Sequence, residues 1–145
     1  KAKIESDSPE VGSTYLLRMG LEPGEYVIRG LSSMARSFPI NGFYFAPLHS
    51  KLSAKTPGIF YLGHVEATIR ERQDPEFKAG PSIPLIDQAI AGGSTGTFDI
   101  VISDQWAQDE QKFRSRFPAL KDAVIEKALL LPFDREYAQK WWEQN

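Results

Sequence analysis

The chain has 145 residues, 41% of them hydrophobic and 25% charged, with a formal net charge of -2 and no cysteine. Those proportions belong to an ordinary globular domain, long enough to bury a core without disulfide or metal staples. They exclude a global positive field for nucleic acid or anionic lipid, thiolate chemistry of any kind, and a membrane-spanning helix, which needs ~18 consecutive apolar residues.

The chain starts Lys1-Ala2-Lys3, without Met and without a charged segment leading into an apolar one. It reads as a processed or trimmed form, from which any signal or lipid-anchor segment would already be lost. Residues 1–12, polar except for Ile4 and Val11, read as an irregular lead-in or a short edge strand. Residues 14–19 alternate Tyr15, Leu17 and Met19 against Thr14, Leu16 and Arg18, which predicts a strand. Pro23-Gly24 turns the chain into a second strand over residues 25–31. Residues 32–42, with Ser32, Ser33, Pro39 and Gly42, read as a connection. Phe43, Tyr44 and Phe45 then form a short aromatic strand, which Pro47 ends or confines to an edge, and residues 48–55 form another.

The stretch over residues 56–70 reads as one long strand, opened by Pro57-Gly58, with Ile59, Tyr61, Val65, Ala67 and Ile69 on one face. Its other face starts apolar at Phe60 and Leu62 and turns polar at His64, Glu66, Thr68 and Arg70, a pattern suited to the middle of a sandwich sheet. Residues 73–96 read as a long loop with a helical turn at 85–90 started by Pro84. Residues 97–103 form a strand with Phe98, Ile100 and Ile102 facing in and Thr97, Asp99 and Ser103 facing out. Asp104 is the expected cap of a helix over 105–116 bearing Trp106, Phe113 and Phe117. Pro118 ends it and opens a second helix striped by Leu120, Ala123, Val124, Ala128 and Leu131. After Pro132, Phe133 and Asp134 serve as staple and cap for a last short helix carrying Tyr137, Ala138, Trp141 and Trp142. The expected fold is mainly β, of the α+β kind. It is a single domain over 1–145, with an antiparallel β-sandwich of about seven strands over roughly 11–104 and a helical segment over roughly 105–145 packed on or beside it.

Two phrases echo each other, Pro23-Gly24-Glu25-Tyr26-Val27-Ile28 and Pro57-Gly58-Ile59-Phe60-Tyr61-Leu62, each a turn followed by an aromatic-bearing strand. Leu21-Glu22-Pro23-Gly24-Glu25-Tyr26-Val27-Ile28 resembles the "PPG-x-Y-x-L" phrase of transthyretin-like and carboxypeptidase-regulatory-like sandwiches, with Glu22 where the first proline often sits. Residues 57–65, Phe98-Asp99-Ile100-Val101-Ile102-Ser103-Asp104 and the segment around Phe117-Pro118 are similar to poorly characterised bacterial secreted proteins and lipoproteins. The resemblance implies an extracytoplasmic β-sandwich, periplasmic or associated with the outer membrane, and transfers no catalytic residue.

His64 and Glu66, at i and i+2 on one strand face, are the pair with the residue types for acid–base work or metal binding. A metal needs about three or four ligands, and His49 is the other histidine, so two ordinary histidines and no metal are expected. Asp99, Ser103 and Asp104 meet at a strand-to-helix junction, where capping accounts for Asp104 and no G-x-S-x-G elbow surrounds Ser103 or Ser94. Gly92-Gly93-Ser94-Thr95-Gly96 lacks the lysine of a phosphate loop and runs into a strand. Arg70, Arg72 and Lys78, alternating with Glu71, Asp74 and Glu76, read as a solvated edge. Phe38, Phe43, Tyr44, Phe45, Phe60 and Tyr61 cluster mid-chain, and three consecutive strand residues cannot share a face, so at least one ring of Phe43-Tyr44-Phe45 faces outward or meets the helices. Tyr44, Trp141 and Trp142 are accordingly candidate ligand-binding rings beside His64 and Glu66. The reading of the whole is a non-enzymatic cell-envelope module without cofactor, binding a protein partner or a small ligand and no nucleic acid. The alternatives are a carbohydrate- or peptide-binding module using exposed aromatics and an enzyme or metal site at His64 and Glu66.

Overall fold

The computed structural model describes residues 2–4, 12–37, 40–80 and 95–145. The fold is of the α+β kind. Strands β1 (Ala2–Ile4), β2 (Thr14–Leu16), β3 (Gly24–Ser37), β4 (Ile40–Ala54), β5 (Phe60–Tyr61), β6 (His64–Glu71) and β7 (Gly96–Ser103) precede helix α1 (Trp106–Arg116). A 3-10 turn (Pro118–Leu120), strand β8 (Glu126–Lys127) and helix α2 (Arg135–Gln144) follow. The ladders are two-stranded: β1 with β2, β3 with β4 and β6 with β7 antiparallel, and β5 with β8 parallel.

The longest ladder is β3–β4, and it absorbs residues 32–37, which the serines and glycine had marked as a connection. Ser32 and Ser33 pair with Phe45 and Tyr44, and both serines are exposed, one on each face of the ribbon. The same ladder fuses the two short strands expected on either side of Pro47 into one. The register slips between Ile28 opposite Ser50 and Gly30 opposite Pro47, so Arg29 alone faces Leu48 and His49. This bulge lets a proline sit within a strand, where an uninterrupted ladder would need its missing N–H. Gly30 is required beside it, because a Cβ there would come within 2.5 Å of the Ala46 carbonyl oxygen and the Phe45 ring.

The expected long strand is two strands. Gly63, at φ 114°, breaks it, and the backbone leaves β8 for β7 across that residue. No other residue adopts that φ without strain. Beyond the break the pattern reads correctly: Val65, Ala67 and Ile69 stand opposite Ile102, Ile100 and Phe98.

The second of the three expected helices does not form. Arg114 of α1 donates through Nη1 to the carbonyls of Leu120, Lys121 and Ala123, taking acceptors that a continuing helix would have used. The chain then runs extended along β5, with the N–H groups of Glu126, Ala128 and Leu130 donating to the carbonyls of Ile59, Tyr61 and Leu62, each at 2.9 Å. Leu130 is buried, while Val124, from the expected stripe, is 81% exposed. The last helix forms as read, with the Asp134 carboxylate accepting from the Tyr137 N–H at 2.9 Å.

The core is shared by both large ladders and α2. Tyr44, Ala46 and Leu48 of β4 meet Phe98 and Ile100 of β7, Ala138 of α2, and Phe77 and Ala79. Phe77 and Ala79 correct the loop reading: they come from the proline-rich stretch, yet Phe77 is 1% exposed. The main chain there bridges the ladders, as the Phe45 N–H donates to the Ala79 carbonyl and the Ala79 N–H to the Gly96 carbonyl, both at 2.8 Å. Lying across the start of β7, this segment explains why Thr97, expected to face out, is fully buried. The helical turn expected at 85–90, the glycine-rich stretch 92–94 and Phe38 lie outside the described residues.

Candidate functional site

Three side chains from three elements converge where α1 crosses the ends of the strands. Tyr61 of β5 is buried between Trp106 and Phe113 of α1, at ring centroid distances of 4.9 and 6.2 Å. Its hydroxyl donates to Asp109 Oδ2 at 2.8 Å, and the Gln105 N–H reaches the same hydroxyl at 3.4 Å. His64, the first residue of β6, places Nδ1 3.0 Å from the same carboxylate oxygen. Lys112, one helical turn on, lies 3.4 Å from Oδ1.

Asp109 is buried in the packed face of α1. Burial alone would push its carboxyl upward, but the hydrogen bonds from Tyr61 and His64, and then Lys112, outweigh it and hold the group below its ordinary 3.8. Burial first, then the hydrogen bond to Asp109, pushes Tyr61 far above the ordinary phenol range. The result is a carboxylate that stays ionised, a phenol that stays protonated, and an imidazole fixed through Nδ1. Chemically, such a carboxylate orients a histidine and sets which nitrogen carries its proton.

The partner of His64 is Asp109. Glu66, the expected partner, is exposed on β6 opposite Val101. A detectable signal existed. Asp109 shares a helical face with Trp106 and Phe113, at i, i+3 and i+7, and a carboxylate inside an apolar stripe demands partners. Ser103 stands across the ladder from His64, and its Oγ accepts from Gln105 Nε2 at 3.2 Å. Asp104 accepts from the Trp106 N–H at 3.0 Å and pairs with Lys127 at 2.7 Å, but the helix starts at Trp106 with Gln105 as its N-cap, so Asp104 stands one residue before the expected capping position.

The aromatic candidates divide. Tyr44 is 9% exposed and edge-on to Phe98, which makes it a core ring and removes it as an open platform. Phe43, its neighbour, is the ring that points outward. Trp141 packs on Phe45 and His49, at 6.0 and 4.7 Å between centroids, and Trp142 is 36% exposed. The two histidines belong to different surroundings, His49 against α2 and His64 against α1.

The charges read as a solvated edge form a clamp. Arg70 pairs with Glu76 and Asp99, and Arg135 at the start of α2 pairs with the same two carboxylates at 3.2 and 2.7 Å. Arg135 also lies 5.0 Å over the Phe77 ring. Arg70 first, then the Gln73 N–H, holds Glu76 down to about 2. A carboxylate depressed on folding contributes stability that is full above its unfolded value of 4.5 and is lost as pH falls toward 2. Glu76→Gln is therefore expected to cost about 1–2 kcal/mol at neutral pH. Urea melts across pH check this, since the difference from wild type should vanish toward the acid end.

Among the described residues, no group of three or more His, Asp or Glu side chains is placed to hold a metal ion. Comparison with protein-family models, curated proteins and solved structures finds no match for this chain.

Proposed function

We propose that the chain is a single-domain, extracytoplasmic β-sandwich module that binds a protein of the cell envelope and performs no catalysis. The observation that carries this reading is the β3–β4 ribbon. Met34 and Phe43 stand opposite each other on it, 47% and 57% exposed. The outer edge of β3 pairs with no strand among the described residues. An apolar cross-strand pair beside an unpaired edge suits strand addition, in which main-chain hydrogen bonds give affinity and side chains give selectivity. The sandwich part draws support from the core shared by β3–β4 and β6–β7. The envelope part rests on the resemblance carried by residues 21–28 and 57–65.

Crosslinking pull-downs from envelope and cytosolic extracts test it. The wild-type chain should retain an envelope protein that the Phe43→Asp variant loses. Recovery of cytosolic proteins alone, or equal recovery by both chains, would overturn it.

Acid–base chemistry at His64 is the second reading, favoured by the buried carboxylate of Asp109 on its Nδ1. It rests on one residue of each kind, against a ribbon that presents a whole surface.

A further inference from the structure

Helix α2 is held on β4 partly by a histidine in an unfavourable setting. His49 occupies the bulge at φ 48°, in the left-handed region that a histidine adopts when its surroundings impose it. Its ring lies 4.7 Å from Trp141 and 5.4 Å from Tyr137, and its Nε2 is buried without a hydrogen-bond partner. From β3 the charged group facing it is Arg29, opposite the bulge. From α2 the titratable group is Tyr137, and Trp141 brings no charge. Its strand neighbours Leu48 and Ser50 do not titrate in the range concerned.

We propose that His49 is a pH-sensitive latch: neutral, it holds the C-terminal half of α2 on β4, and protonated, it releases it. A neutral imidazole is an apolar plate against two aromatic faces, with its proton on Nδ1 and a bare lone pair at the buried Nε2. Protonation adds an N–H there that meets no acceptor, buries a cation and sets it near Arg29. Attraction between the cation and the Trp141 and Tyr137 rings offsets part of this, but desolvating an imidazolium and stranding its donor outweigh a ring contact. Burial first, then the Arg29 charge, holds the ring below its ordinary 6.5.

The docked state therefore binds fewer protons than the released one, so docking is strongest above 6.5 and weakens as pH falls through the window beneath it. The start of α2 stays pinned in that window, because Glu76 remains ionised down to about 2 and keeps Arg135. Release then pivots about Arg135 and lifts Trp141 away from Phe45.

Hydrogen exchange of the α2 amides in the full chain, corrected for intrinsic rates, tests the latch between about pH 7.5 and pH 5. Opening of the last two turns should rise by up to about tenfold per unit of pH. His49→Phe, which keeps a ring and removes the titration, should be flat, and Arg29→Gln should show a smaller rise than wild type. Equal pH dependence in wild type and His49→Phe overturns the proposal, as does a flat wild type or an opening that begins only below about pH 4. Should His49→Phe fail to fold, the imidazole resonances of the wild-type chain decide. His49 shifts moving in step with α2 exchange support the latch, and titration with α2 exchange unchanged overturns it.

Discussion

Phe77→Ala is expected to destabilise the protein by about 3–5 kcal/mol, the range for emptying a large aromatic site in a core. The side chain is 1% exposed and meets Phe133 edge-on at 6.4 Å, with the Arg135 guanidinium 5.0 Å over its ring. Its loss removes transfer free energy and ring contacts together. The cavity cannot collapse easily, because Ala79, two residues on, is fixed by main-chain hydrogen bonds to Phe45 and Gly96. Urea denaturation should show a large fall in midpoint with an unchanged slope. A loss under about 1.5 kcal/mol would mean that the segment can move to fill the space.

Asp109→Ala should cost about 2–4 kcal/mol, for a different reason. Little apolar area is lost, but the Tyr61 hydroxyl and His64 Nδ1 are left without their acceptor in the packed face beneath α1. Removing the donor as well should restore part of the loss. Tyr61→Phe alone is expected to cost about 1 kcal/mol, and the double variant Tyr61→Phe with Asp109→Ala less than the two added together. The pH dependence has a definite sign. Asp109 is depressed on folding, so its contribution is present above its unfolded value of 3.8 and declines as pH falls further. Purely additive costs in the cycle would show that Tyr61 and Asp109 do not act together.

The sequence was most legible where period and packing coincide. Phe98, Ile100 and Ile102 alternate cleanly and line the core or its margin, and the Asp134 cap and last helix stand as read. It misled where a local signal was overruled by distant partners. The stripe from Leu120 to Leu131 has helical spacing, but Arg114 claims the carbonyls that would continue the helix and β5 claims the N–H groups beyond them. Gly63 looked incidental inside an alternating run, although it alone determines that the run is two strands with different partners. Of the site, His64 was visible because a histidine on a strand face invites a partner. Asp109 was hidden, because it lies on the helix, 45 positions from His64 in sequence, and not along the strand.

The hydrogen bonds of Ala79 bear on how the molecule comes apart. The β3–β4 hairpin closes over a short span of sequence, whereas β6 and β7 are joined by a long connection, and on their own the two ladders could open separately, in two steps. A single residue whose N–H and carbonyl serve opposite ladders makes the exposed backbone of either one a cost to both. The expected consequence is that the two ladders unfold together, coupled at their seam through a stretch that carries no regular secondary structure of its own.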